Sequence, residues 1–203
     1  MGRAAAILLI AGLLSGCLSH GTSLPQADRA LATVKTMPPA PQRFTYCSDH
    51  NCEIEHPVSL SDAEWAEVTA VLSEAAADAA AERAAVAESV GRFERIVGPR
   101  TGTAGDPGGT GIFAPAGDLD CVDEAVNTTR FLIMLENAGL LRFHSAGWPV
   151  HRAFVGNSRT HMTAVMREAG GGSWAVDSWF HRSGAAAEVL PLDLWLAGWE
   201  PGG

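Results

Sequence analysis

The spacing of apolar positions changes several times along the chain, and each change predicts a different element. Ala4 to Leu14 is a continuous apolar run. From residue 18 to about 43 the period is lost, and Pro25, Pro38, Pro39 and Pro41 interrupt any long helix, so 17–43 reads as a flexible tether with at most a short helical turn at Ala27–Lys35. Phe44 to Ile54 predicts strand, turn, strand around Ser48-Asp49-His50-Asn51. Ser61 and Glu64 form a capping-box pattern before a long amphipathic helix. Trp65, Val68, Val71 or Leu72, Ala75, Ala79, Val86, Val90, Phe93 and Val97 fall near one face of it, and Gly98-Pro99 marks its expected end. Arg100 to Gly117 is Gly-rich and aperiodic, the pattern of a binding edge or lid. A second helix opens after Asp118 or Asp120 and stops at Gly139, with Ala125, Val126, Phe131, Leu132, Met134 and Leu135 as its apolar surface. Val150–Val155, Thr160–Arg167 and Ser173–Trp179 read as strands, the last two joined by Gly170-Gly171-Gly172, and Leu192–Ala197 reads as a short closing helix. Helices early and antiparallel strands late predict an α+β domain over residues 44–203.

Composition narrows the function classes. The 203 residues are 47% hydrophobic, enough for a buried core without a dense disulfide framework. A net charge of −9 opposes nucleic-acid binding and a polybasic membrane patch. The apolar run after Arg3 is too short to span a bilayer and fits the core of a secretory leader over residues 1–16. It ends Leu14-Ser15-Gly16-Cys17, which resembles the bacterial lipobox. That resemblance implies a lipid anchor on Cys17, and Leu18 in place of Asp implies the outer membrane, facing the periplasm.

Cys47 and Cys52 flank a short loop and can pair as a disulfide in an oxidising envelope. The competing reading is a metal site built from Cys47, His50, Cys52 and His56, although the spacing is crowded and unlike a familiar zinc finger.

Cys121 sits in the first turn of the second helix, whose positive end is expected to lower a thiol's pKa. His161 and Asp177 lie on two strands joined by the Gly turn. If residue 161 stands opposite residue 177, the two share a face and the carboxylate can orient the imidazole. His144, His151 and His181 are alternative bases, and Asp177 has Arg152, Arg167 and Arg182 as alternative partners. Trp179, two residues beyond Asp177 on the same face, is the tryptophan expected near the site and along a substrate groove.

A cysteine opening a helix, a histidine 40 residues on and an aspartate 16 later resemble the transglutaminase-like superfamily. More narrowly, Gly117-Asp118-Leu119-Asp120-Cys121-Val122-Asp123-Glu124 is similar to the Gly-Asp-Cys-Glu-Asp signature of bacterial transglutaminase-like cysteine proteinases. The resemblance covers about residues 44–199. It implies a papain-like core, helices packed on an antiparallel sheet, with Cys121 as nucleophile, His161 as base and acid, and Asp177 as orienter. It also implies a peptide or protein substrate in the cell envelope. No cofactor is required for such chemistry. Calcium stays open through Asp120 and Asp123, although Val122 stands where the family has an acid. The rival classes are a transglutaminase-like lipoprotein that binds without catalysis, and a metal-binding protein using the Cys47–His56 cluster.

Overall fold

The computed structural model describes residues 25–73, 76–111, 115, 117–153 and 159–202. The expected leader 1–16, Cys17 with its lipid, Ala75 and the end of the strand expected at Val150–Val155 lie outside the described residues. Among those described, five helices and seven strands form an α+β architecture.

The first helix, α1 (Pro25–Thr36), occupies part of the segment expected as tether. Ala30 and Val34, four residues apart, are buried, and Arg130 donates to the Ala30 carbonyl (3.0 Å). The docked stripe is two residues wide, too short for a period to stand out between prolines.

The hairpin β1 (Phe44–Ser48) and β2 (Ile54–Val58) is antiparallel and closed by a Cys47–Cys52 disulfide. Its connection is a left-handed turn: Asp49, His50, Asn51 and Cys52 have φ of 61°, 63°, 54° and 55°. That conformation costs roughly 1–2 kcal/mol per residue, and Asp, Asn and His are the non-glycine types that enter it most readily. The turn is held at both ends, by the disulfide and by carboxylates described below.

The expected long helix is two. Helix α2 (Asp62–Ser73) begins with the Ser61/Glu64 capping box: Ser61 N donates to Glu64 Oε2 (2.8 Å) and Glu64 N to Ser61 Oγ (3.3 Å). Helix α3 (Ala79–Thr101) restarts after Asp78, whose side chain accepts from Ala81 N (2.8 Å). An aspartate that caps peptide N–H groups is a start signal hidden inside an Ala-rich stretch. Gly98-Pro99 does not end α3. Gly98 has no Cβ to clash with the following proline ring, so the helix runs one more turn to the left-handed Gly102.

Helix α4 (Cys121–Asn137) is buried along most of its length and packs on the sheet. The sheet contains β3 (His144–Ala146), β4 (Val150–Arg152), β5 (His161–Glu168), β6 (Ser173–Asp177) and β7 (Glu188–Pro191). Its order is β3-β5-β6-β7, with β4 pairing the other half of the β5 edge, all antiparallel. Ala164 stands opposite Val176, so Asp177 falls opposite Thr163, two residues from the expected register. A two-residue slip preserves the face, so His161 and Asp177 remain on one side as diagonal neighbours. Helix α5 (Leu192–Leu196) closes the chain against β6 and β7.

Three apolar clusters result among the described residues. The largest joins α2, α3, α4, the hairpin and the sheet, with Phe93 stacked on Phe131 (4.6 Å between ring centres). A second gathers the disulfide, Ala30, Val122, Ala125, Val126 and Met162, with Cys121 at its margin. The third is Ala175, Leu190 and Trp195, where α5 packs on β6 and β7. The double variant Cys47→Ser/Cys52→Ser is expected to lose on the order of 2 kcal/mol from the unfolded-chain constraint alone. Loss of the left-handed turn adds to this. Urea denaturation checks it, and an unchanged midpoint would contradict the role given to the disulfide.

Candidate active site

The site is built from the start of α4 outward. Asp120 caps the helix, accepting from Val122 N (3.0 Å) and Asp123 N (2.9 Å), and Asp123 reaches back to Asp120 N (3.2 Å). The left-handed turn completes both carboxylates. Asn51 N donates to Asp120 (3.0 Å), while His50 N (3.0 Å) and Cys52 N (2.7 Å) donate to Asp123. Further along α4, Asn127 pairs with the Cys47 backbone, accepting from its N–H (2.7 Å) and donating to its carbonyl (3.0 Å).

These contacts bear on the metal readings. Among the described residues, the groups close enough to share an ion are Cys47, Cys52, Asp123 and His50, Asp120, Asp123. In the first, the two sulfurs are bonded to each other. In the second, all four carboxylate oxygens accept peptide N–H groups. The calcium left open for Asp120 and Asp123 would have to share oxygens that peptide N–H groups already occupy.

Cys121 is the first residue of α4, half-buried, and the Met162 N–H bonds to its sulfur. The helix end does not set its acidity. Burial, followed by the Asp120 charge, pushes the thiol up to about 12, against the expected lowering. The resting group is a neutral thiol.

His161 precedes Met162 on β5 and is buried. Its Nε2 lies 2.8 Å from Asp177 Oδ2, and Trp195 Nε1 donates to that same oxygen (2.7 Å). Indole N–H only donates, so Oδ2 accepts from Trp195, and with Asp177 as a carboxylate it accepts from His161 Nε2–H as well. The lone pair is then on Nδ1, which is buried and has no hydrogen-bond partner among the described residues. Trp179 (4.5 Å), Phe180 (5.1 Å) and Trp195 (5.4 Å) surround the imidazole. Trp179 is thus a buried wall against His161, its N–H bonded to the Thr110 carbonyl (2.8 Å), rather than an open groove face.

Of the alternative bases, His144 bonds Glu82 (2.8 Å), His181 bonds Glu188 (2.8 Å), and His151 is exposed on β4. His56, a candidate metal ligand, contacts the Ser48 hydroxyl instead (2.8 Å). Trp195 and a set of buried acids behind the site escaped sequence reasoning, and Arg152, weighed only as a partner of Asp177, instead holds Trp195. No local pattern marks them, because each becomes relevant through tertiary packing.

In that buried set, Ser178, next to Asp177, donates to Glu124 (2.6 Å), and Glu94 accepts from Gly184 N (2.7 Å). Asp106 accepts from Leu119 N (2.9 Å) and Gly108 N (3.1 Å). Burial is the main cause of raised carboxyl pKa values throughout: Glu94 and Asp123 rise to about 8, Glu124 rises well above its usual range, and Asp106 rises less.

The folded protein therefore holds protons that the unfolded chain has released. Stability from these groups is full below the ordinary carboxylate range and declines as pH climbs to about 8. Each proton sets a slope of at most about 1.4 kcal/mol per pH unit. Urea midpoints are expected to fall from pH 5 to pH 8, and Glu94→Gln with Glu124→Gln is expected to flatten that fall. The raised thiol generates a second expectation: at pH 8, iodoacetamide alkylates Cys121 more slowly in the folded protein than in urea, as counted by mass spectrometry. Compared with known proteins, the chain matches no family model, no curated protein and no solved structure.

Proposed function

We propose that this chain is a thiol acyl-transfer enzyme, a peptidase or amidase of the transglutaminase-like, papain-like kind. We propose further that it is carried on the periplasmic face of the outer membrane by a lipid on Cys17. The observation that carries the chemical reading is the buried His161–Asp177 pair. Its free Nδ1 belongs to the residue next to the one whose N–H holds the Cys121 sulfur. Support for the finer fold reading is the arrangement itself: a cysteine at the start of a central helix, packed on an antiparallel sheet whose adjacent strands carry the histidine and the acid.

The steps follow from the protonation states. The Cys121 thiol passes its proton to His161 Nδ1 as sulfur bonds the amide carbonyl carbon, and the carbonyl electrons move to oxygen. The Cys121 N–H, first amide of α4, is not among those that Asp120 takes, and it is the donor this reading gives to the developing oxyanion. Collapse breaks the carbon–nitrogen bond, and the leaving amine collects the proton from imidazolium. Water then gives a proton to Nδ1 and attacks the thioester, and the departing sulfur takes that proton back. Asp177 holds the ring through Nε2 (2.8 Å). A net charge of −9 favours approach by neutral or cationic peptides.

One observation favours a second reading, a binding lipoprotein without catalysis: the thiol is raised to about 12, and His161 Nδ1 bonds nothing among the described residues. Acetyl transfer from p-nitrophenyl acetate separates the two. The catalytic reading expects an acetyl thioester on Cys121 and its absence in Cys121→Ala. It also expects transfer slower on the order of 100-fold in His161→Ala, with Asp177→Asn likewise slowed. Equal rates in wild type and His161→Ala would leave the binding reading standing.

A further inference from the structure

Trp195 is the largest fully buried side chain, yet it is carried on a helix of five residues near the end of the chain. A buried indole needs an acceptor for its N–H, and any nearby carbonyl serves that purpose. Trp174 uses Glu168 (2.9 Å) and Trp179 uses the Thr110 carbonyl (2.8 Å), both away from the His161–Asp177 bond. Trp195 instead donates to Asp177 Oδ2, the oxygen that holds His161.

The short helix does not place this ring unaided. Arg152, opposite His161 in the β4–β5 ladder, is buried with its guanidinium 4.4 Å from the centre of the Trp195 ring. It donates to the backbone carbonyls of Trp195 and Trp199 (3.0 Å to the latter). The Trp195 carbonyl, near the end of α5, also accepts from Gly198 N (3.0 Å), and Trp199 lies just past the helix, so Arg152 ties the helix end to the residues that follow it. The strand that pairs with His161 therefore also fixes the indole that binds Asp177.

We propose that Trp195, held by Arg152, is a positioning residue of the site. Its N–H fixes the Asp177 carboxylate so that one oxygen binds His161 Nε2 and leaves Nδ1 free as the base. This rests on the acyl-transfer reading for its catalytic meaning. The indole cannot give up its proton at accessible pH, so Oδ2 is permanently an acceptor. Without the indole N–H, the carboxylate turns more freely and its charge on Oδ2 is less offset. His161 then binds its proton more tightly, and its base form appears at higher pH.

The test uses the full chain and the variant Trp195→Phe, which keeps a ring and removes the donor. Acetyl transfer from p-nitrophenyl acetate is expected to slow on the order of tenfold at pH 7. The acid limb of its pH profile is expected to move upward, a shift that lost packing alone does not produce. A folded Trp195→Phe with wild-type rate and acid limb overturns the proposal. A second measurement does not require that variant to fold. In nitrogen-15 spectra of wild type and Asp177→Asn, the Trp195 indole signal is expected to move while those of Trp174 and Trp179 stay. A Trp195 signal that does not respond overturns the pairing. No acetylation of wild-type Cys121 would overturn the acyl-transfer reading itself, and the indole signal still decides whether Trp195 binds Asp177.

Discussion

Asp120 and Asp123 give every carboxylate oxygen to peptide N–H groups drawn from two places in the chain, the first turn of α4 and the left-handed turn between Cys47 and Cys52. Each side needs the other. Four consecutive left-handed residues carry a backbone cost of several kcal/mol. Their N–H groups point one way, and the two carboxylates collect them while the disulfide closes the loop. In return the turn fixes where α4 begins, and with it the position of Cys121. Asn127 and Arg130, one and two turns further on, extend the same seam to β1 and α1.

Around His161 the protein removes water with rings and keeps charge on one atom. Trp179, Phe180 and Trp195 enclose the imidazole, so the bond to Asp177 acts in a medium that screens it weakly. Under the proposed chemistry the acids behind the site would oppose the thiolate if ionised. Burial raises Glu94 to about 8 and Glu124 well above its usual range, so their hydrogen bonds to Gly184 and Ser178 add little of that field near neutral pH.

What the sequence makes legible follows from range. Helix starts marked by a capping serine or aspartate, the Gly turn between β5 and β6, and the α+β order of elements depend on residues within a few positions of each other. The placement of His161 and Asp177 on one face is also readable, because parity survives a register slip of two. The break at Asp78 was hidden by alanines that suit a helix on either side. Trp195 and Arg152 were hidden for a different reason. They meet through the β4–β5 pairing and a five-residue helix, contacts that span 43 residues and leave no periodic trace. Asp120 and Asp123 are readable as acids, but their partners are backbone N–H groups of a conformation the sequence only permits.

The start of α4 carries a conflict between shape and reactivity. A helix N-terminus favours an anion, and a cysteine placed there is expected to ionise early. Here the helix end is already filled by Asp120, which satisfies two of its amides and sets its own negative charge beside the sulfur. The residue that fixes the geometry thus opposes the thiolate. Under the proposed acyl transfer, such a site cannot rely on a standing thiolate and needs a base at the moment of attack. His161 would meet that need with Nε2 held by Asp177 and Nδ1 without a hydrogen-bond partner among the described residues. In that reading the two aspartates divide the work: Asp120 places the thiol and keeps it protonated, and Asp177 keeps the imidazole able to take that proton.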